Sequence, residues 1–170
     1  MSADTTPELT QEQLAEIERE FDPETAFRPT GKIIGLVIAA ILVSMSVYHF
    51  YASGFGLVRE LVHRGIHLSF VLGLVFLLFG VRKTSYSLLP KAWYRFDGVP
   101  LIDILFAVLA VGAAMYLPLL PSEALAQRVG NPSPSDIFMG SALLLLTLEA
   151  ARRSVGPTLP IIGLIFIGFA

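Results

Sequence analysis

The sequence predicts an all-α integral membrane protein with four transmembrane helices and the truncated start of a fifth hydrophobic segment. Composition is the first reason. Of 170 residues, 54% are hydrophobic and 15% are charged, and the mean hydropathy is +0.69. An ordinary soluble domain carries about 25% charged residues. The second reason is arrangement: the apolar residues are gathered into windows of roughly the 17–25 residues that a membrane-crossing helix needs. The composition also excludes several chemistries. There is no cysteine, which excludes disulfides, zinc-thiolate sites, iron–sulfur clusters and thiol nucleophiles.

The N-terminal arm, residues 1–31, is set apart by charge. Residues 1–27 hold eight acids and one base, whereas the remainder holds six acids and eleven bases. Thr10 with Gln13 makes a possible capping box for a short helix, with Leu14, Ile17 and Phe21 on one face. Asp22-Pro23-Glu24 offers a second helix start. The Glu-rich face would be repelled by anionic lipid, so a protein contact or free solvent is expected for it. No stripe of basic residues interleaved with aromatics is present, which argues against nucleic acid as a partner.

The four spans are expected at about 33–53, 65–81, 99–120 and 135–151. The first two windows are uncharged, and the third contains one charge, Asp103. The fourth is built around the apolar block 137–148. Its start is well marked: Ser133 can cap, Pro134 fits the first helical position, and Asp136 lies three residues after the cap. Between spans one and two, Gly54-Phe55-Gly56 leaves room only for an antiparallel hairpin. The loop 82–98 is basic and aromatic (Lys91, Trp93, Tyr94, Arg95, Phe96), as an interfacial belt would be. In the third connection, Ser122 is expected to cap a short surface helix before Gly130-Asn131-Pro132 turns the chain. A further apolar run begins near Val155 and includes Pro157 and Pro160.

Orientation follows from Lys and Arg. Nine lie on the side of the N-terminus and three (Arg59, Arg64, Arg128) on the other. This places the N-terminus in the cytoplasm. The first thirty residues are acidic, unlike a secretory leader, so the first span is expected to act as its own insertion signal.

Ionisable groups inside spans are the functional suspects. Asp103 lies about one turn into span three. It could reach the interface, pair with Lys91 or Arg95, or relay protons. Glu149 lies three and four residues before Arg152 and Arg153, so all three share one face of span four. They either end the span as an intrahelical cluster or lock it to a neighbouring domain. His49 and His67 fall at one level on different helices and could hold a b-type haem. His63 and His67 share one face and cannot be opposite ligands of one iron. No Walker loop, HExxH, GxSxG or dinucleotide fingerprint is present, so no enzyme activity and no cofactor are expected.

Several motifs together resemble a known family. They are Glu20-Phe21-Asp22-Pro23-Glu24, Tyr51-Ala52-Ser53-Gly54-Phe55-Gly56 and Arg64-Gly65-Ile66-His67-Leu68-Ser69-Phe70. The more specific ones are Gly130-Asn131-Pro132 with Asp136 and Gly140, Leu148-Glu149-Ala150-Ala151-Arg152-Arg153, and Gly156-Pro157-Thr158-Leu159-Pro160-Ile161-Ile162. The stretch from Glu20 to Ala170 resembles the N-terminal part of fused permeases of tripartite ATP-independent periplasmic (TRAP) transporters, of the type served by TAXI-class binding proteins. The resemblance implies a four-helix domain at 32–153, with 154–170 the truncated start of a large transporter domain. It further implies a scaffold role in ion-gradient-driven uptake (symport) of organic acids or similar solutes in the bacterial inner membrane. The implied partners are the large membrane domain, a periplasmic TAXI-type solute-binding protein and the lipid bilayer. Asp103, Asn131, Asp136, Glu149, Arg152 and Arg153 become candidate structural or interdomain residues. The same resemblance implies that the chain does not transport by itself. Other expectations are a bis-histidine haem anchor and a small proton-conducting protein centred on Asp103.

Overall fold

The computed structural model describes Thr10 and residues 27–56, 59–80 and 95–169. The helices expected in the acidic arm, and most of the basic aromatic loop with Lys91 and Trp93, lie outside the described residues. Six helices and one two-stranded hairpin make up the described chain: α1 (Lys32–Phe55), α2 (Glu60–Leu78), β1 (Arg95–Phe96), β2 (Val99–Pro100), α3 (Leu101–Tyr116), α4 (Ser122–Arg128), α5 (Pro134–Ser154) and α6 (Thr158–Phe169).

Three of these helices, α1, α2 and α5, are long and apolar enough to cross a membrane. The third expected span, 99–120, is shorter as a helix. Residues 99–100 pair in the hairpin and the α-helical geometry stops at Tyr116, leaving 16 residues. At 1.5 Å per residue that is about 24 Å, against roughly 30 Å of hydrocarbon. The chain continues through 117–120 as turns, with Leu119 N–H donating to Met115 O and Leu120 N–H to Leu117 O. α6 is a further short apolar helix of 12 residues. The chain is therefore nearly all α, with one two-stranded hairpin and one isolated antiparallel bridge, Phe27 to Phe79, among the described residues.

Helix ends follow local chemistry. α1 stops where Gly56 turns left-handed at φ 58 and its N–H bonds back to Ala52 O. α2 begins five residues before the expected window, taking in Glu60 and Arg64, which pair across one helical turn. α5 carries the full capping box. Ser133 Oγ accepts from Asp136 N–H at 3.3 Å, and Asp136 Oδ2 accepts from Ser133 N–H at 2.7 Å. Ser122 departs from its expected role. Pro121 occupies the cap of α4 and no side chain caps it, while Ser122 Oγ accepts from Arg59 at 3.2 Å.

α2 is the centre of the packing. One face meets α3 and α5 through Leu72, Phe76, Ala107, Ala110, Leu146 and Ala150. The other meets α1 and β2 through Leu74, Leu77, Ile34, Ile38 and Val99. Small residues let α3 approach closely: Ala107, Ala110, Ala113 and Ala114 are all buried. Gly65 is required at the opposite end of that contact. A Cβ there would stand 2.5 Å from Pro118 Cγ and 3.0 Å from Ala114 O. Outward faces are apolar, with Leu36, Val43, Val47, Phe50, Leu145, Ile165 and Phe166 all exposed. In water such faces would drive aggregation. Against lipid they are the expected surface.

The hairpin has a positional job. Asp97 and Gly98 form its turn, both with positive φ (49° and 90°), the Asp-Gly pattern of a tight hairpin. The turn lies against the entry to α1. Asp97 Oδ2 accepts from Ile34 N–H at 2.7 Å, and Asp97 O accepts from Gly31 N–H at 2.8 Å. A carboxylate from a distant segment thus caps α1, whose own cap position, Gly31, offers no side chain.

Candidate functional site

Four chain segments converge where α2 ends, α3 begins and α5 ends. Asp103, in the first turn of α3, is only 1% exposed. Its Oδ1 accepts from Arg153 NH1 at 2.7 Å, and its Oδ2 stands 2.7 Å from Arg28 NH2. The sequence suggested Lys91 or Arg95 as partners. The structure instead supplies Arg28, from just before α1, and Arg153, from the last turn of α5. Arg95 lies exposed on the hairpin, and Lys91 is outside the described residues.

Both arginines have second duties. The backbone pairs antiparallel at Phe27 and Phe79, and Arg28 N–H donates to Leu78 O at 2.9 Å. That register carries the Arg28 guanidinium under the end of α2, where it donates to Phe76 O at 3.0 Å and Phe79 O at 2.6 Å. Arg153 also reaches Phe79 O, at 3.5 Å. The last carbonyls of a helix have no partners within it, and cations suit its C-terminal end. Asp103 sits in the first turn of α3 and Arg153 in the last turn of α5, so their charges also match the dipoles of their own helices. The Arg153 guanidinium lies 5.1 Å from the Phe76 ring and 5.7 Å from the Phe106 ring. Both distances are within cation–π range.

The node continues outward along α5. Glu149 receives two parallel bonds from Arg152, at 2.8 Å each, and one from Arg153 Nε at 2.7 Å. Arg152 and Glu149 close the end of α5 as an intrahelical pair, and Arg153 links that pair to Asp103 of α3. The satisfaction is incomplete at one point. Arg28 Nε and Asp103 Oδ2 are buried without a hydrogen bond among the described residues. The close approach of Arg28 to Oδ2 is thus an ionic contact and lacks hydrogen-bond direction.

Asp136 and Asn131 lie elsewhere, at the opposite end of α5. Asp136 Oδ1 accepts from Arg128 at 2.7 Å and from Tyr116 OH at 2.9 Å, tying α4 and the end of α3 to the start of α5. The bonds to Tyr116 and Asp136 hold the Arg128 guanidinium above its ordinary pKa. Asn131 is exposed, and its backbone N–H donates to Arg128 O at 3.1 Å in the turn.

The histidines form a second polar group where α1 meets α2. His49 Nε2 and His67 Nδ1 are 2.9 Å apart, and Tyr48 OH is 3.0 Å from His63 Nδ1. Nitrogens in direct contact leave no place for a haem iron between them, and a haem would require both rings to turn away from each other. Among the described residues, no group of three or more His, Asp or Glu side chains is arranged to hold a metal ion.

Arg28 and Asp97 are the two residues whose importance the sequence hid. Asp97-Gly98 between Phe96 and Val99 is a recognisable hairpin signal. Arg28 has no comparable signal, since its partners are backbone carbonyls about fifty positions away. No protein-family model, curated protein or solved structure matches the chain.

Proposed function

We propose that the chain is the static membrane scaffold of a TRAP-type secondary transporter, an ion-gradient-driven permease system for organic acids or similar solutes. The observation that carries this reading is the buried Arg28–Asp103–Arg153 node. It ties the entry of α1, the end of α2, the start of α3 and the end of α5 into one plate, as a brace against a moving partner requires. The resemblance of the motifs quoted above supports the choice of family, and the exposed apolar faces suit lipid and a neighbouring membrane domain.

In this reading α3 and the turns at 117–120 together make the third of four crossings. The node lies at the cytoplasmic face of the bacterial inner membrane, where the excess of Lys and Arg also falls. A large membrane domain carries the solute and coupling-ion sites, and a periplasmic TAXI-type protein delivers solute. The scaffold contributes no catalytic residue. Asp103 has both oxygens engaged by arginines, which favours a bracing role over proton conduction.

The test is reconstitution. Vesicles holding this chain with a matching large domain and binding protein are expected to accumulate solute under an ion gradient, and vesicles holding the chain alone are not. Uptake by the chain alone would overturn the reading.

A further inference from the structure

The Asp103 node and the capping box account for the ion pairs at the two ends of α5. The histidine group between α1 and α2 remains, and the chain has three histidines in all. Its hydrogen bonds fix where the protons are. His49 Nδ1 is 2.7 Å from Met45 O. A carbonyl oxygen only accepts, so Nδ1 carries the proton. In neutral His49, Nε2 is then a lone pair, and the contact at 2.9 Å requires His67 to present Nδ1–H to it. His67 Nε2 is left as the free acceptor of the pair.

This arrangement takes two protons in unequal ways. The first goes to His67 Nε2, and every hydrogen bond survives. The second must go to His49 Nε2, because His49 Nδ1 is already protonated. Two N–H groups, both cationic, would then face each other, and the bond across the helices is lost. The Tyr48–His63 contact behaves differently. A phenol can donate or accept, so its hydroxyl hydrogen turns away when His63 is protonated and the contact persists. The charged neighbours do not neutralise the pair. Glu60 is engaged by Arg64 one turn along α2, and Arg59 points to Ser122 and Pro118 O. From α1, only Tyr48 and His49 present titratable groups here. A cleft of about 320 Å³, lined by His49, Ala52, Ser53, Gly56, Glu60 and His63, adjoins the His49 side of the pair.

We propose that His49 and His67 form a two-step proton switch whose bond between α1 and α2 survives one extra proton and breaks with two, loosening the Gly56 end of α1. Histidine is the side chain whose charge changes between about pH 5 and 8.

The experiment uses the full chain in nanodiscs with ¹⁵N-labelled histidine, read by long-range proton–nitrogen correlation across pH. At high pH, His49 and His67 are both expected as the Nδ1–H tautomer. On acidification the pair is expected to take up its two protons in unequal steps, His67 Nε2 before His49 Nε2, while the Tyr48–His63 contact persists. His67→Gln is expected to reduce His49 to a single step. At the second step, amide exchange at residues 50–56 is expected to rise about five-fold over His67→Gln at the same pH, the size given by one average hydrogen bond. A high-pH Nε2–H tautomer for His49, or two independent titrations, overturns the proposal. So does a chelator-sensitive metal ion bridging the rings. The wild-type tautomers and titration decide it even if the variant does not fold.

Discussion

Replacing Asp103 by Asn tests whether the buried node holds the helices together. The substitution keeps shape and removes one charge, leaving Arg28 and Arg153 facing each other in an apolar site. Asp103 is 1% exposed, and the side chains of Arg153 and Arg28 are 2% and 9% exposed, so solvent screens little. Breaking a buried pair by removing one partner costs about 3–5 kcal/mol. Here the lower end applies, because Arg28 keeps the carbonyls of Phe76 and Phe79 and Arg153 keeps Glu149. A loss of about 3 kcal/mol corresponds to roughly 6–12 °C in melting temperature for a chain of this size. The assay is thermal loss of helical signal in detergent, with recovery of monodisperse protein as a second readout. Glu60→Gln is the control: its pair with Arg64 is 77% and 74% exposed and is worth about 0.3–0.5 kcal/mol. The triple variant Arg28→Met, Asp103→Leu, Arg153→Met is expected to recover most of the loss, since well-packed apolar residues often replace a buried ion cluster without cost. If Asp103→Asn melts with Glu60→Gln, the node does not hold the fold and the reasoning fails.

Three glycines separate close packing from open space. Gly65→Ala is expected to cost about 1–3 kcal/mol by forcing α2 from α3, because its Cβ meets Pro118 Cγ at 2.5 Å. Gly73→Ala meets only Val111 Cγ2 at 3.6 Å and Gly112→Ala meets nothing within 4 Å, so both are expected to be neutral or stabilising by about 0.4–1 kcal/mol. The same thermal assay checks all three, and equal losses would refute the ranking. Ser133→Ala removes the acceptor for Asp136 N–H and is expected to cost about 1 kcal/mol, whereas Ser133→Asp stays near wild type. Because the chain has no cysteine, single-cysteine variants report topology directly. Gly54→Cys is expected to react with an impermeant maleimide added to sealed cells and Arg95→Cys only after lysis. The reverse pattern would invert the orientation.

The hydrophobic windows were legible because crossing a bilayer demands long uninterrupted apolar helices, a constraint written into composition and length. The start of α5 was legible for a different reason: Ser133, Pro134 and Asp136 interact within one turn, so spacing alone specifies the geometry. The grouping of Glu149 with Arg152 and Arg153 is local in the same sense. The limits of α2 and α3 were less so. Charged Glu60 and Arg64 join a helix that apolar counting starts later, and Val99-Pro100 leave one to pair in a hairpin.

What remained hidden depends on which distant segments meet. Asp103 announced itself as an ionisable group in an apolar stretch, but its partners did not, because Arg28 and Arg153 are brought to it by the packing of α2, α3 and α5. The cap that Asp97 gives to α1, and the bonding of His49 to His67, likewise join separate elements. The sequence by itself determined that the chain is helical, apolar and interrupted by a few marked turns, since those properties follow from neighbours along the backbone. Only the tertiary structure decided which charges neutralise one another, since that depends on distances between side chains that no local spacing encodes.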